Sequence, residues 1–583
     1  MKPVYMMLLI GGLTLGGCQV EGASLHDDDG LAAIRTDAGR AYDGAPGAGV
    51  AGDYLSSIFA QNRYDWRAAG HHLERVLKHD PKNMELRKRA MVLAMGYGDM
   101  EGASRHAGII LEQEQENDFA ELIMIVRAMA REDFTAAAEK TNKMASGDMT
   151  DFVRPILAGW VHAALGRDDD DMFGDTTLHL SHAALIAIYR QDHDRAAHYI
   201  DQMMDGATLS MRDAERVADM LAYTGLDEEA LVLYQGLLLQ SPQSRAMETK
   251  INSLQDDPAG FRQDLAAELL VENPNQGAAL AMYDMAFILF QERSDSSAKL
   301  FVHMALALDP SMTRARLLLA DALTRNDRFD EAIAYLSDVP DDHPSYLSAQ
   351  RHIAELMFES GRHDEARAKL EDLFRRYNDI ESLIRIGDLF RYQENYRHAL
   401  EAYNRAAGKI GADIPEQYWH LLYARGMAYE REGQWRKAET DLKAALVYRP
   451  DHPYLLNYLG YGWADHGENL EQSLELIKRA VSLRPNDGHI IDSLGWVQYR
   501  LGRYEDALPN LEKAASLIPY DPIINDHLGD VYWKVGRRTE ARFQWQRAYN
   551  HADDEDLRDL IAQKLRHGLR DDPDTRRAQA RAE

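Results

Sequence analysis

The chain has 583 residues, 66 of them basic and 95 acidic, for a formal net charge of −29. Such a field repels nucleic acid and anionic surfaces and favours basic partners, which excludes a polyanion-binding role. A single cysteine excludes an internal disulfide, so stability has to come from packing.

The chain opens with Lys2 and an apolar run from Val4 to Leu15, too short to span a bilayer as a stable anchor. Small residues then lead to the only thiol, in Leu15-Gly16-Gly17-Cys18. This tetrapeptide resembles the bacterial lipobox, in which a peptidase cuts before the cysteine and the sulfur carries a diacylglycerol. The resemblance implies a signal peptide over 1–17, an acylated Cys18 and a periplasmic location. One acyl chain binds membranes only marginally, whereas two or more hold stably, and lipoproteins of this kind carry up to three. Gln19 is not the aspartate that retains such proteins at the inner membrane, so the outer membrane's periplasmic face is expected. Residues 18–50 are rich in Gly, Ala and Asp, as in Asp27-Asp28-Asp29-Gly30, and are expected to form a flexible stalk. A coil of about 32 residues has a root-mean-square span of roughly 30 Å.

Beyond the stalk a small residue recurs: Ala69, Ala103, Ala137, Ala196, Ala230, Ala298, Ala332, Ala366, Ala399, Ala438, Ser473, Ala507 and Ala541. The intervals are 34, 34, 59, 34, 68, 34, 34, 33, 39, 35, 34 and 34. The 68 is two periods, leaving a degenerate repeat around Phe261 to Leu269, and the 59 marks an insertion near 166–177 containing Asp168–Asp171. A 34-residue period of helix, turn and helix resembles tetratricopeptide (TPR) arrays. The fullest motifs are Gly426, Tyr429, Ala438, Leu442, Ala445, Pro450 and Leu494-Gly495, Ala507, Leu511, Ala514, Pro519. Small residues at Gly495 and Ala507 let paired helices approach, and Pro450, Pro485 and Pro519 stop each second helix.

The predicted fold is therefore all-α, a TPR superhelical solenoid of about 13–15 helix-turn-helix repeats with a C-terminal capping helix. A degenerate array is expected over 51–277 and a regular one over 278–552. A cap over 553–570 presents Leu557, Leu560, Ile561, Leu565 and Leu569 on one side, and a disordered charged tail is expected over 571–583. The degenerate repeats depart from the motif, as at Thr141, where a large apolar residue is expected.

No phosphate-cradling glycine loop, Gly-x-Ser-x-Gly elbow or His-Glu-x-x-His helix is present in the sequence. His71-His72 and His179/His182 lack accompanying ligand patterns and read as surface histidines. No catalytic residue, metal or cofactor is expected, and the chain reads as a binding protein.

In a TPR array the first helix of each pair lines a groove. Motif counting places Tyr423, Asn457, Tyr461, Asp492, Trp496, Tyr499, Asp526, Asp530 and Trp533 there. Asn can satisfy a peptide's backbone groups, while Tyr and Trp give contact area at low entropic cost. Lys and Arg are missing from these positions, so a basic or internal peptide segment is expected rather than a free carboxylate end.

The lipobox, the long array and the strings Leu456-Asn457-Tyr458-Leu459-Gly460-Tyr461 and Asp492-Ser493-Leu494-Gly495-Trp496-Val497-Gln498-Tyr499 narrow the family. Together they resemble proteobacterial outer-membrane TPR lipoproteins of the LbcA-type adaptor class. The resemblance implies an adaptor that tethers a periplasmic carboxyl-terminal processing protease and presents peptidoglycan hydrolases to it. It implies membrane contact through the lipid anchor only. A scaffold for exopolysaccharide export or envelope assembly is the alternative, and an enzyme with a distributed site is a third.

Overall fold

The computed structural model describes residues 49–569, apart from 115–116, 145–147, 168–171, 207–208, 242–243 and 270. Cys18, the signal peptide, the stalk up to residue 48 and the 571–583 tail lie outside the described residues. The described residues form two compact units that divide between Ala349 and Gln350.

The first unit begins with three helix pairs: α1 (Val50–Asn62) with α2 (Trp66–His79), α3 (Met84–Gly96) with α4 (Met100–Gln113), and α5 (Asp118–Ala130) with α6 (Phe134–Lys143). A lone helix, α7 (Asp148–Leu165), follows. Pairing resumes with α8 (Thr177–Tyr189) and α9 (His193–Gly206), then α10 (Met211–Thr224) and α11 (Asp227–Gln240). Next come α12 (Arg245–Asp256) with α13 (Pro258–Leu269), α14 (Pro274–Gln291) with α15 (Asp295–Leu308), and α16 (Thr313–Thr324) with α17 (Phe329–Ser337). Helix α18 (Tyr346–Glu359), which straddles the division, pairs with α19 (His363–Tyr377). The second unit continues with α20 (Ile380–Tyr392) and α21 (Tyr396–Ile410), then α22 (Trp419–Arg431) and α23 (Trp435–Tyr448). It ends with α24 (Pro453–His466) and α25 (Leu470–Leu483), α26 (Gly488–Arg500) and α27 (Tyr504–Leu517), α28 (Pro522–Lys534) and α29 (Arg538–His551), and the lone α30 (Glu555–His567). The fold is all-α, fourteen helix pairs plus α7 and α30 among the described residues.

Each of the thirteen recurring small residues is the fourth residue of a second helix, and each is at most 1% exposed. The period is thus steric. In α26 a methyl on Gly495 would lie 2.5 Å from Leu511 Cγ of α27, so a side chain there would force the pair apart. A second regularity sits in the turn between paired helices, where a residue adopts positive φ in every pair but α12 and α13. Glycine fills it at Gly98, Gly502 and Gly536, but Tyr64, Glu132, Gln191 and Arg293 also occupy it. The sequence signal is blurred there because glycine is favoured without being obligatory.

The degenerate repeat exists as α12 and α13, with buried Phe261 at the fourth position of α13. The 59-residue interval differs from the expected irregular insertion near 166–177: α7 carries most of the surplus, and 168–171 lie outside the described residues. Thr141 is buried where an apolar residue was expected, because its hydroxyl donates back to the Ala137 and Ala138 carbonyls.

The compact units meet at 349/350, so α14 and α15 belong to the first. Helix α14 packs on α7 and α8, and α15 packs on α3 and α5, which ties them into the first unit. Gly277 of α14 makes this approach possible, since a methyl there would lie 2.3 Å from the fully buried Trp160 ring of α7. His179 and His182, expected on the surface, are buried here. His182 accepts from Trp160 Nε1 and lies 3.3 Å from the Asp284 carboxylate. His179 Nε2 lies 2.6 Å from the Phe152 carbonyl oxygen. In the second unit, helices pack on sequence neighbours and on the first helix of the next pair.

Candidate functional site in the aromatic groove

Successive first helices α22, α24, α26 and α28 place one aromatic or polar row beside the next. Tyr423 lies parallel to Trp419 at 6.5 Å and edge-on to Tyr458 at 6.1 Å, with His452 at 6.0 Å. Burial holds the Tyr423 hydroxyl above the ordinary tyrosine range. Tyr461 is pushed higher as well, by burial first and then by the Asp465 and Asp492 carboxylates. Asn457 is half-buried, and its Oδ1 has no hydrogen-bond partner.

One repeat on, Trp496 stacks between two rings, His527 at 4.1 Å and Tyr499 at 5.0 Å. Its Nε1 is buried without an acceptor. The Asp492 carboxylate lies 3.0 Å from His527 Nδ1, and both groups are buried. Burial opposes charge on His527, but Asp492 outweighs it by charge and hydrogen bond and holds the imidazole above its ordinary value.

Asp526 and Asp530 are not open to the groove. Lys564 of α30 reaches both, at 2.6 and 2.8 Å, and Trp545 Nε1 donates to Asp530 at 2.9 Å. Burial, followed by the neighbouring Asp526 charge, pushes Asp530 up to about 6. Trp533 lies 5.3 Å from Trp545 and is covered by Gly568, so the turn after α30 sits in the last repeat's groove. Ile561 is buried in that contact, with Leu557, Leu565 and Leu569 packed around it, whereas Leu560 points outward.

The nine candidate residues thus fall into three sets. Tyr423, Asn457, Tyr461 and Trp496 remain half-buried beside unpaired polar atoms; Asp492 and Tyr499 serve the stack; Asp526, Asp530 and Trp533 hold the cap. The first set can offer an extended peptide one acceptor, one donor and aromatic area.

Three segments match family descriptions: 295–353 and 423–488 as "Tetratricopeptide repeat", and 493–568 as "Tetratricopeptide repeat-like domain". These segments are tetratricopeptide repeats. The TPR repeat-containing protein PA4667 of Pseudomonas aeruginosa is 30% identical over 164 residues, 28% of this chain and 27% of that one. The BBSome complex member BBS4 of Bos taurus is 29% identical over 113 residues, 19% of this chain and 20% of that one. The chain therefore spans about a quarter or less of the length of these curated relatives. Among solved structures, the APC/C hetero-tetramer Cut9–Hcn1 aligns over 88% of this chain and 96% of its own, with 14% identity and a TM-score of 0.38. TPR repeats imply a protein-binding scaffold, and scaffolds of this kind are typically non-catalytic.

Motif counting missed Trp419, His452, Tyr458 and His527, which build the aromatic groove, and Lys564, which closes its end. One signal was available. Lys564 follows Asp530 by 34 residues, one repeat period, so opposite charges one period apart mark groups that meet between adjacent first helices.

Proposed function

We propose that this chain is a lipid-anchored periplasmic scaffold that binds polypeptide segments in the groove of α22 to α26. Cys18 carries the anchor at the outer membrane, and the segment between it and α1 serves as the stalk. The observation that supports peptide binding is the half-buried aromatic row with two unpaired polar atoms, Asn457 Oδ1 and Trp496 Nε1. Buried polar atoms without partners are rare, and a peptide backbone supplies the missing donor and acceptor. The resemblance of the 454–499 strings to adaptor lipoproteins makes a carboxyl-terminal processing protease and its peptidoglycan-hydrolase substrates the proposed partners. An adaptor raises the effective concentration of two bound proteins without chemistry of its own, to the millimolar range for short flexible linkers.

Affinity capture with residues 19–583 from envelope extract, read by mass spectrometry, tests this reading. Recovery of the protease with hydrolases, lost on Trp496→Ala, supports it. Recovery of an export channel or polysaccharide machinery instead refutes the partner assignment.

A further inference from the structure

The first unit holds a cavity of its own, where α1, α3 and α15 meet. It has a volume of about 670 Å3 and a mostly apolar lining. Sites for small ligands fall in the same range, roughly 300–1,000 Å3.

The apolar lining is left over from core packing. Leu86 and Val92 of α3 and Leu300 of α15 pack on the buried cluster of Trp66, Leu73 and Leu93, yet each stays partly exposed and lines the cavity. Trp66, 7% exposed, is held in place, because Gly96 lies against its ring with no room for a methyl. Tyr54 of α1 and Tyr64 of the α1–α2 turn also line the cavity and keep much of their surface exposed.

The charges of the lining do not cancel. Glu85 is its single carboxylate, against Lys88 and Arg89. Lys88 is taken twice, by Glu85 at 3.2 Å and by Glu114 at 2.9 Å. Arg89 donates from Nε at 2.8 Å and from Nη2 to one neutral atom, Gln61 Oε1, and forms no ion pair among the described residues. The nearest carboxylates outside the lining are engaged: Asp65 with Arg328 at 3.4 Å, and Asp295 with Arg325 at 3.5 Å. Ser296 and Ser297 bring the first turn of α15 to the cavity, and the N-cap Ser294 makes no side-chain hydrogen bond to that turn. Such a helix start favours an anion.

An extended chain does not suit this place. Helix α15 packs on α5 as well as α3, so the row of first helices is closed beyond the cavity. A compact ligand fits better.

We infer that the cavity binds a single-tailed anionic amphiphile, its acyl tail against Trp66, Leu86, Val92 and Leu300 and its head at Arg89 and the first turn of α15. The tail covers aliphatic surface that core packing leaves open, and the head supplies the charge partner that Gln61 does not. The head can be the carboxylate of a fatty acid or the phosphate of a lysophospholipid. The site takes a different ligand class from the aromatic groove and does not depend on peptide binding there.

Isothermal titration of the protein of residues 19–583 tests this, with ten-carbon probes below their micelle concentrations: decanoate, decyl phosphate, decanol and decylammonium. Decanoate or decyl phosphate should bind saturably at one site, about tenfold tighter than decanol or decylammonium. The tighter of the two anions identifies the head. Shortening that probe by two methylenes should weaken it about tenfold, the scale of the lost apolar burial. Arg89→Gln should bring the anions down to the level of decanol, and Arg89→Lys should restore part of the preference. Ser297→Trp, which fills the cavity from α15, should abolish binding of every probe, with an unchanged melting temperature showing that the variant folds. Trp496→Ala should leave every affinity as it was. Unsaturable binding, equal affinity for all four heads, or a preference that survives Arg89→Gln overturns the assignment. So does displacement of the bound anion by an amidated peptide with an aromatic side chain at lower concentration, which would make the cavity an anchor for a protein.

Discussion

Lys564→Met isolates the contact by which α30 closes the array. The lysine ammonium sits 2.6 and 2.8 Å from two aspartates that are 7% and 5% exposed, and methionine keeps the apolar stem while deleting the charge. Removing one partner from a buried ion pair costs about 3–5 kcal/mol. Here the loss has an escape, since Asp530 already titrates near 6 with the lysine present and takes up a proton once the ammonium is gone. The low end, about 3 kcal/mol, is therefore expected at neutral pH. In a stack of repeats such a loss stays local, so α28 to α30 should open first. Native-state hydrogen exchange at pH 7.5 reads this directly, as a fall of roughly 100-fold in protection of α30 amides. The defect should shrink near pH 5, where Asp530 takes up its proton. Unchanged protection in α30, or a loss spread evenly over α20 to α27, would refute the reasoning.

Asp284→Asn should destabilise the first unit by about 3–5 kcal/mol by stranding Arg212 and Arg216, lowering one calorimetric transition and sparing the second unit's. Ala507→Leu should cost about 1–3 kcal/mol through overpacking against α26, seen in urea unfolding, while Trp496→Ala lowers peptide affinity more than stability. Mild acidification should stabilise the end of the second unit. His527, raised above its ordinary 6.5, contributes stability that is present below that value and lost as pH rises through its folded pKa. Asp530, raised to about 6 from 3.8, binds its proton more tightly when folded, so stability grows as pH falls from 6 towards 4. Thermal melts from pH 8 to pH 5 check the sign, and Asp492→Asn should remove the histidine's part.

The sequence made the small-residue register legible because sterics at Ala507 or Ala541 admit almost nothing larger. The cap was legible for a similar reason, since Ile561 and its apolar neighbours can face only one way. Groove chemistry was less so. Counting places Asp526 and Asp530 on the right helix, but whether they meet a ligand or Lys564 depends on a residue more than thirty positions away. The buried charge cluster escaped notice because Arg212 and Arg216 sit on a repeat where the motif is weak, and Asp284, which binds both, belongs to a distant helix brought in by tertiary packing.

The seating of α14 and α15 on α3, α5, α7 and α8 bears on how the chain can have grown. Duplicating one 34-residue unit lengthens an open stack without penalty, because each new pair finds the neighbour it needs. The first unit does not allow this. Its helices meet others far along the chain, and an added pair between α8 and α14 would carry Gly277 away from Trp160 and Asp284 away from His182. Its repeat number is therefore frozen by closure. The second unit keeps the freedom to gain or lose pairs, and homologues should differ in length there before they differ in the first.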